Sequence, residues 1–294
     1  MKTIAILAGG NSSERKISLK TAYQIFENID KSKYTPYVVD VKGKKWDVLL
    51  DGKRFPVDKN TFTCKKGRKT LRFDFAWIAI HGTPGENGQM QGYLDMMQIP
   101  YSSCDLLVSA LTFNKHACKE YLQNSGVAMA KSVLVKQGEP IDYNSIVNHL
   151  QLPVFVKPNT SGSSFGVSKV KQAEELPVAI ENAFCEDHEV IIESFIKGTE
   201  VSCGVFKSKS KSYVLPVTEI VSPNEFFDYH AKYFSKETQE ITPARISEEI
   251  TQKVQYFTSL VYDRLRCKGI VRVDFIIQDG TPHFLELNSV PGMS

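Results

Sequence analysis

Four groups of residues in this 294-residue sequence have the types and spacing to do chemistry. One is the run Asn159-Thr160-Ser161-Gly162-Ser163-Ser164-Phe165-Gly166, which follows Lys157-Pro158 at the end of an apolar segment. Gly and Ser expose backbone N–H groups and hydroxyls without bulk, so such a loop can fold against phosphate oxygens. It is not a Walker A loop, because its lysine precedes the glycines. It is not a dinucleotide fingerprint either, because a strand rather than a helix follows. Taken alone, a flexible hairpin loop beside an exposed lysine explains it equally well.

Arg272-Val273-Asp274 and Glu286-Leu287-Asn288 form the second group. Strand alternation puts Arg272 with Asp274 on one face, and Glu286 with Asn288 on one face. Two carboxylates and an amide oxygen make a hard oxygen site suited to Mg²⁺ bridging phosphates. An arginine beside them would stabilise charge developing on a transferred group. A salt-bridge ladder on two exposed strands is the competing reading. The apolar neighbours Val271, Val273, Phe275, Phe284, Leu285 and Leu287, expected to bury the opposite face, favour the metal. The third group is the polar-aromatic loop around Phe226-Phe227-Asp228-Tyr229-His230-Ala231-Lys232-Tyr233, with Glu237 and Glu240 after it. Long loops inside compact domains are uncommon unless functional, though alone this one reads as a hydrophobic plug with a solvated lysine. The fourth pairs Glu14, in the first turn of a helix, with His81-Gly82 at a strand end. Each has an ordinary structural reading, dipole compensation for Glu14 and strand termination for His81.

The elements that must position these groups follow from periodicity. Thr3 to Ala8 reads as a short buried strand, Gly9-Gly10 as a turn, and Glu14 to Ile29 as an amphipathic helix. Strands follow around Tyr37–Val41 and Phe75–Ile80, with hairpins or an insertion between 42 and 72. A helix spans 87–98, and Pro100 starts another short strand. Alternating strands and helices imply a parallel sheet with its ligand edge at the strand C-termini, marked by Gly9-Gly10 and His81-Gly82. Helices are expected at 104–112 and 114–125, and strands at 132–136, 153–157, 166–171, 189–193, 199–206 and 213–219. A long helix from Ser247 to about Arg266, with Gly269 as its C-cap, precedes strands at 270–277 and 282–288.

Composition sets the outer limits. The length suggests two or three domains at roughly 100–200 residues each. A hydrophobic fraction of 42% is enough for full cores. Lys plus Arg number 36 against 33 Asp plus Glu, so a net +3 gives no polybasic field for nucleic acid or a membrane surface. No apolar run approaches the ~20 residues that span a bilayer. Six scattered cysteines without C-x-x-C spacing indicate reduced thiols rather than zinc or a disulfide framework, and hence a cytoplasmic protein. Asn11 and Asn159 begin glycosylation sequons that are chance matches in such a protein.

Taken in order, Gly9-Gly10-x-Ser-x-Glu-Arg, His-Gly-x-x-Gly-Glu-Asn-Gly, Lys-Pro-x-x-x-Gly-Ser-Ser-x-Gly, Tyr-x-Ala-Lys-Tyr, Arg-x-Asp and Glu-x-Asn-x-x-Pro-Gly-Met closely resemble the D-alanine–D-alanine ligases of the ATP-grasp superfamily. The resemblance runs from Lys2 to Ser294. It implies an α/β and α+β fold: an N-terminal Rossmann-like parallel sheet over 1–103, then a two-subdomain ATP-grasp fold at 104–193 and 194–294. It implies ATP-dependent joining of two D-alanines through an acylphosphate, for peptidoglycan and cell-wall synthesis, with ATP, D-alanine and two Mg²⁺ (or Mn²⁺) bound. Lys115 and Lys157 would hold the α- and β-phosphates and Lys232 the γ-phosphate. The backbone of Glu193, Ser194, Phe195 and Ile196 would pair with adenine and Glu200 with the ribose, with Ser163 and Ser164 in the loop over the phosphates. Asp274, Glu286 and Asn288 would bind metal. Glu14, Ser163 and Tyr233 would form a closing hydrogen-bonded trio, Glu14 neutralising the first D-alanine's ammonium and His81 lying beside that substrate. Arg272 and the Gly292 N–H would stabilise the tetrahedral oxyanion.

Retention of Lys232-Tyr233 favours a dipeptide product, since relatives that make D-Ala-D-lactate replace that tyrosine. His230 and Ser194 depart from the glutamate and lysine common at their positions. An acceptor such as D-lactate or D-serine, or a catalytically silent nucleotide-binding module, are the alternative functions. Homodimerisation is implied by resemblance alone. Related ligases continue past Pro-Gly-Met-[Ser/Thr] with a Ser-Leu segment and a closing helix. The expectation is therefore a complete ATP site, joined to an acceptor site that lacks part of its wall if the chain ends at Ser294 and is complete if a tail follows.

Overall fold

The computed structural model describes residues 1–160, 162, 165–221 and 239–292, and its contacts divide into two units. The first holds Met1–Ala110, Cys267–Val271 and the chain from Asn288 onward; the second holds Leu111–Arg266 and Arg272–Leu287.

In the first unit, β1 (Lys2–Gly9) is connected by α1 (Arg15–Asn28) to β2 (Tyr34–Lys42). A meander of β3 (Lys45–Leu50), β4 (Lys53–Asp58), β5 (Thr63–Lys66) and β6 (Lys69–Arg72) then leads to β7 (Phe75–Ile78). The sheet order is β6-β5-β4-β3-β2-β1-β7. β1 lies parallel to both β2 and β7, which is the expected parallel core. The stretch expected as hairpins or an insertion extends that core antiparallel from β2 to β6. Tight turns make this possible. Asp51-Gly52 has φ of 51° and 72°, the doubly positive geometry that matches strand twist in a two-residue hairpin.

Alternation along β1 sends Ala5 and Leu7 into one core and Ile4, Ile6 and Ala8 into another. α1 covers the second face with Ala22 and Ile25. α2 (Gln89–Met96) covers the first with Met90 and Leu94. Both faces of the parallel strands are therefore buried, which is why β1 reads as a continuous apolar run. The strand expected to start at Pro100 is reduced to a single parallel bridge between Ala76 and Tyr101. It is followed by α3 (Leu106–Phe113).

The second unit carries α4 (Lys115–Leu122), β8 (Ala128–Met129), β9 (Ser132–Lys136), α5 (Tyr143–Leu150), β10 (Val154–Pro158), β11 (Ser168–Val170), α6 (Leu176–Phe184) and β12 (Glu189–Ser194). An antiparallel sheet of order β11-β10-β12-β9 packs Val154, Val156, Val190 and Ile192 against α5 and α6. Then come β13 (Thr199–Lys207), β14 (Ser212–Val214), β15 (Thr218–Val221), β16 (Gln239–Ile241), α7 (Glu248–Arg264), β17 (Ile270–Gln278) and β18 (Thr281–Asn288). These strands form a sheet of order β16-β15-β13-β17-β18-β8, with β14 on β13.

Several elements depart from expectation for local reasons. The strand expected at 213–219 is two strands, because Pro216 cannot donate to the ladder. α5 and α6 escape periodicity: the first is eight residues rich in poor helix formers, and the second carries Pro177 in its first turn, where proline is tolerated. Ser247, expected as the start of this helix, is the N-cap of α7, accepting from the Ile250 N–H at 3.3 Å. The helix ends at Leu265, however, with Arg266 in the left-handed region. Gly269 serves instead as a close-approach point against the Ser102 carbonyl. On β18 the buried positions Phe284 and Leu287 are three apart and Leu285 is half-buried, so alternation there is imperfect. Among the described residues no helix is long and apolar enough to cross a membrane. All six cysteines are free thiols, five of them buried.

Candidate active site

Within the first unit, the C-terminal ends of the parallel strands assemble one cluster of candidate residues. Gly9 and Gly10 have φ of 96° and 89°, which lets the chain turn sharply from β1 into α1. The turn is tied down on every side. The Gly10 N–H donates to the Val41 carbonyl at 2.8 Å and the Asn11 N–H to the Thr83 carbonyl at 3.0 Å. Ser18 Oγ, fully buried on α1, accepts from the Gly9 N–H at 2.8 Å and donates to the Ala79 carbonyl at 2.7 Å. Ser12 Oγ donates to the His81 carbonyl at 2.9 Å.

Glu14 and His81, both buried, are brought together by this framework. Glu14 occupies the N-cap position of α1 without capping it. Its carboxylate instead faces Gly82, where an added Cβ would lie 3.3 Å from Oε2. His81 Nε2 is 3.4 Å from Thr21 Oγ1 on α1. Sequence reading missed the brace behind this cluster. Asp40, on β2 and almost fully buried, pairs with Arg15 Nη2 at 2.5 Å and Arg54 Nη1 at 2.9 Å, while Arg15 Nη1 also holds the Val41 carbonyl at 2.9 Å. Gly292 is exposed, with nothing within 4 Å of where a Cβ would stand.

In the second unit, the face of the β10–β12 sheet opposite its core carries charge. Phe155 lies across from Glu193 and Lys157 across from Ile191. Lys157 is thus diagonal to Glu193, within reach of a long side chain. Its Nζ is 2.6 Å from Glu193 Oε2, and Lys119 Nζ from α4 pairs with Oε1. Burial alone would raise the Glu193 carboxyl, but Lys157 and then Lys119 outweigh it and hold its pKa down at about 2. Burial alone would likewise lower the Lys157 ammonium. Glu193, followed by Glu286 and Glu200, raises it above the usual lysine value.

Lys115 sits at the first turn of α4, docked to the end of β10 by Asn159. The Lys115 N–H donates to the Asn159 carbonyl at 3.0 Å, and the His116 N–H to Asn159 Oδ1 at 2.9 Å. Asn159 Nδ2 donates to Asn114 Oδ1 at 3.0 Å and Glu189 Oε2 at 2.9 Å. Asn159 is fully buried, so the sequon reading is moot and the residue is a structural joint between two lysine-bearing elements.

Beyond Glu193, the Ser194 N–H donates to the Lys131 carbonyl at 3.0 Å and the Phe195 N–H to the Pro153 carbonyl at 3.1 Å. Phe195 packs on Phe155 with ring centroids 5.8 Å apart, and Lys169 Nζ lies 4.0 Å from the Phe195 ring centroid. Phe155 was not singled out from sequence. Its signal is its position two residues before Lys157 on the same face.

On β17, Arg272 Nε and Nη2 donate to Asp274 Oδ1 at 2.8 Å and Oδ2 at 2.9 Å. Burial works against the Arg272 cation, but Asp274, then Glu286 and Glu240, hold its pKa above the usual arginine value. Glu286 therefore lies within electrostatic reach of both Arg272 and Lys157. Asn288 is the last residue of β18, and Glu200 lies on β13, paired across from Ile220. Asp274, Glu286 and Asn288 supply only hard oxygen donors, a set whose chemistry fits Mg²⁺ or Mn²⁺. Ser163, Ser164, Lys232 and Tyr233 lie outside the described residues.

Comparison with known proteins agrees along the whole chain. Residues 3–104 match the family described as D-ala D-ala ligase N-terminus, and 121–294 match D-ala D-ala ligase C-terminus. A D-alanine–D-alanine ligase of Phocaeicola vulgatus is 50% identical over 100% of this chain and 91% of its own length. Among solved structures, the VanG D-Ala:D-Ser ligase from Enterococcus faecalis superposes with a TM-score of 0.86 at 32% identity, covering 99% of this chain and 91% of that one. The Bacillus anthracis D-alanine–D-alanine ligase complexed with ATP has a TM-score of 0.79 at 28% identity, covering 100% and 88%.

Proposed function

Because this chain belongs to the D-alanine–D-alanine ligase family, we propose that it joins two D-alanines into D-alanyl-D-alanine at the expense of ATP, for peptidoglycan synthesis. The observation that carries this reading is the charged neighbourhood of the second unit, where Lys157 Nζ lies 2.6 Å from Glu193 Oε2 and Arg272 bonds both oxygens of Asp274 at 2.8 and 2.9 Å, with Glu286 in electrostatic reach of Lys157 and Arg272. A carboxylate oxygen of the first D-alanine attacks the γ-phosphorus of ATP, and ADP departs. The amine of the second D-alanine then attacks the acylphosphate carbon, loses a proton, and expels phosphate. Formation of the mixed anhydride supplies the leaving group that amide synthesis needs, and the protein contributes positioning and charge neutralisation.

Lys115 and Lys157 hold the α- and β-phosphates, and Lys232 the γ-phosphate. With the N–H groups of Ser194 and Phe195 already bonded, adenine is read through the Ile196 N–H, against Phe195, with Glu200 on the ribose. The glycine-serine loop with Ser163 and Ser164 covers the phosphates. Asp274, Glu286 and Asn288 would hold two Mg²⁺ or Mn²⁺ ions, which would supply neutralisation of phosphate charge. Glu14 binds the ammonium of the first D-alanine with His81 beside it, and Glu14, Ser163 and Tyr233 close the site. Arg272 and the Gly292 N–H stabilise the oxyanion. The three-part division at 103 and 193, a homodimer and a cytoplasmic location belong to the same reading.

ADP release coupled to NADH oxidation tests it. ADP appearing no faster with D-alanine than without would sink the ligase reading in favour of a silent nucleotide-binding module. Greater stimulation by D-lactate or D-serine than by a second D-alanine would reassign the acceptor.

A further inference from the structure

Lys119 takes no part in the chemistry above, yet its side chain is only 6% exposed. Its Nζ pairs with Glu193 Oε1 and also donates to the Ala130 carbonyl at 2.9 Å. The second Glu193 oxygen takes Lys157 at 2.6 Å. Buried Lys119 and partly buried Lys157 thus share one buried carboxylate, one oxygen each, and they are anchored unequally. Lys119 is fixed by a second acceptor, on a helix whose first turn is bonded to Asn159. For the Lys157 ammonium, Glu193 is the one hydrogen-bond partner among the described residues, and the Phe155 ring centroid lies 5.4 Å away.

This asymmetry has a consequence for ligand binding. A phosphate that binds Lys157 competes with Glu193 for its ammonium. Removing one member of a buried ion pair is costly, because the other is left as an uncompensated charge. With Lys119 in place, Glu193 keeps a counter-ion throughout.

We propose that Lys119 is a positioning residue: it neutralises Glu193 so that Lys157 is free to turn to the nucleotide phosphates without stranding a buried anion. This rests on the assignment of Lys157 to those phosphates. Lys119 stands four residues from Lys115 on α4, so the two lysines lie on one helix face with different duties, Lys115 toward the ligand and Lys119 toward the carboxylate.

The test compares ADP with adenosine, which lacks phosphate, by equilibrium calorimetry on the full chain. Lys119→Met is expected to weaken ADP binding by about tenfold or more, the scale set by exposing a buried charge. Adenosine binding should change by less than about twofold, and Lys119→Arg should restore ADP binding. Adding Glu193→Gln to Lys119→Met should recover most of the ADP affinity, because no carboxylate remains to be stranded. Should Lys119→Met fail to fold, Lys119→Gln keeps a donor for the Ala130 carbonyl and carries the same comparison. Equal losses for ADP and adenosine, no loss for either, or a double variant as weak as the single one would each overturn the proposal. Lys157→Met separates the premise from the inference. If it leaves the ADP-to-adenosine ratio unchanged, the Lys157 assignment fails and the proposal with it. If it lowers that ratio while Lys119→Met does not, only the role of Lys119 fails.

Discussion

Arg272 grips Asp274 through two parallel hydrogen bonds of 2.8 and 2.9 Å, from two positions away on one strand face. The proposed oxyanion stabiliser is thereby held rigid by a proposed metal ligand, and the planar fork of arginine is what allows the bidentate bond. A lysine would supply charge without that geometry. Arg272→Ala is expected to lower kcat by about 10²–10³ if it acts on the oxyanion, with a smaller change in KM for ATP. Steady-state ADP release measures both. A near-wild-type kcat would remove Arg272 from the chemistry.

The Glu193 carboxyl makes the fold acid-sensitive in a definite window. Its pKa falls from 4.5 to about 2 on folding, pulled down by Lys157 and Lys119 against the effect of burial. A depressed carboxylate contributes stability that is fully present above the unfolded value and lost as pH falls through the folded one. The window is therefore from about 4.5 down to about 2. Glu193→Gln should cost about 3–5 kcal/mol at neutral pH by leaving buried Lys119 and partly buried Lys157 without their counter-ion. The gap between variant and wild type should narrow as pH falls through that window. Urea unfolding at a series of pH values measures it, and a gap constant down to pH 2 would contradict the ion triad.

How much of this was legible in the sequence differs between fold and site. Elements marked by strong local signals were readable: the apolar run of β1, the start of α7 at Ser247, the alternation of β17. Arg272 and Asp274 were readable as same-face partners because strand period alone fixes that relation. Lys119 and Asn159 were not. On a short helix, Lys119 looks like any solvated lysine, and its burial depends on Glu193, 74 residues away. Asn159 resembles a loop polar residue until Glu189 and Asn114 close around it. Buried polar partners leave no periodic trace, because the groups that satisfy them come from other elements.

Asn159 is therefore the sharpest test of how the two lysines proposed to hold phosphate are positioned. Asn159→Ala removes the acceptor of the His116 N–H and the donor to Asn114 and Glu189. Each buried group left unsatisfied costs about 1–3 kcal/mol. The expected fall in unfolding midpoint is on the order of 5–10 °C. Because Asn159 joins the helix of Lys115 to the strand of Lys157, KM for ATP should rise while KM for D-alanine stays near wild type. Calorimetry and substrate titrations check the two parts, and a variant with unchanged KM for ATP would confine Asn159 to stability.

Gly82 offers the complementary test on the D-alanine side. Its φ of 68° lies in the left-handed region, where a side chain is strained. An added Cβ would also stand 2.9 Å from Ser12 Oγ and 3.3 Å from Glu14 Oε2. Gly82→Ala must therefore push on the two residues that fix the β1–α1 loop, and the movable one is the Glu14 carboxylate. If Glu14 holds the ammonium of the first D-alanine, that displacement should raise KM for D-alanine about tenfold, a loss of roughly 1.4 kcal/mol in binding. KM for ATP should stay unchanged, since Lys115 and Lys157 belong to the other unit. Glu14→Gln should produce the same selective change without backbone strain, separating loss of charge from distortion. Equal increases in both KM values, or none in either, would detach Glu14 from the amino-acid site.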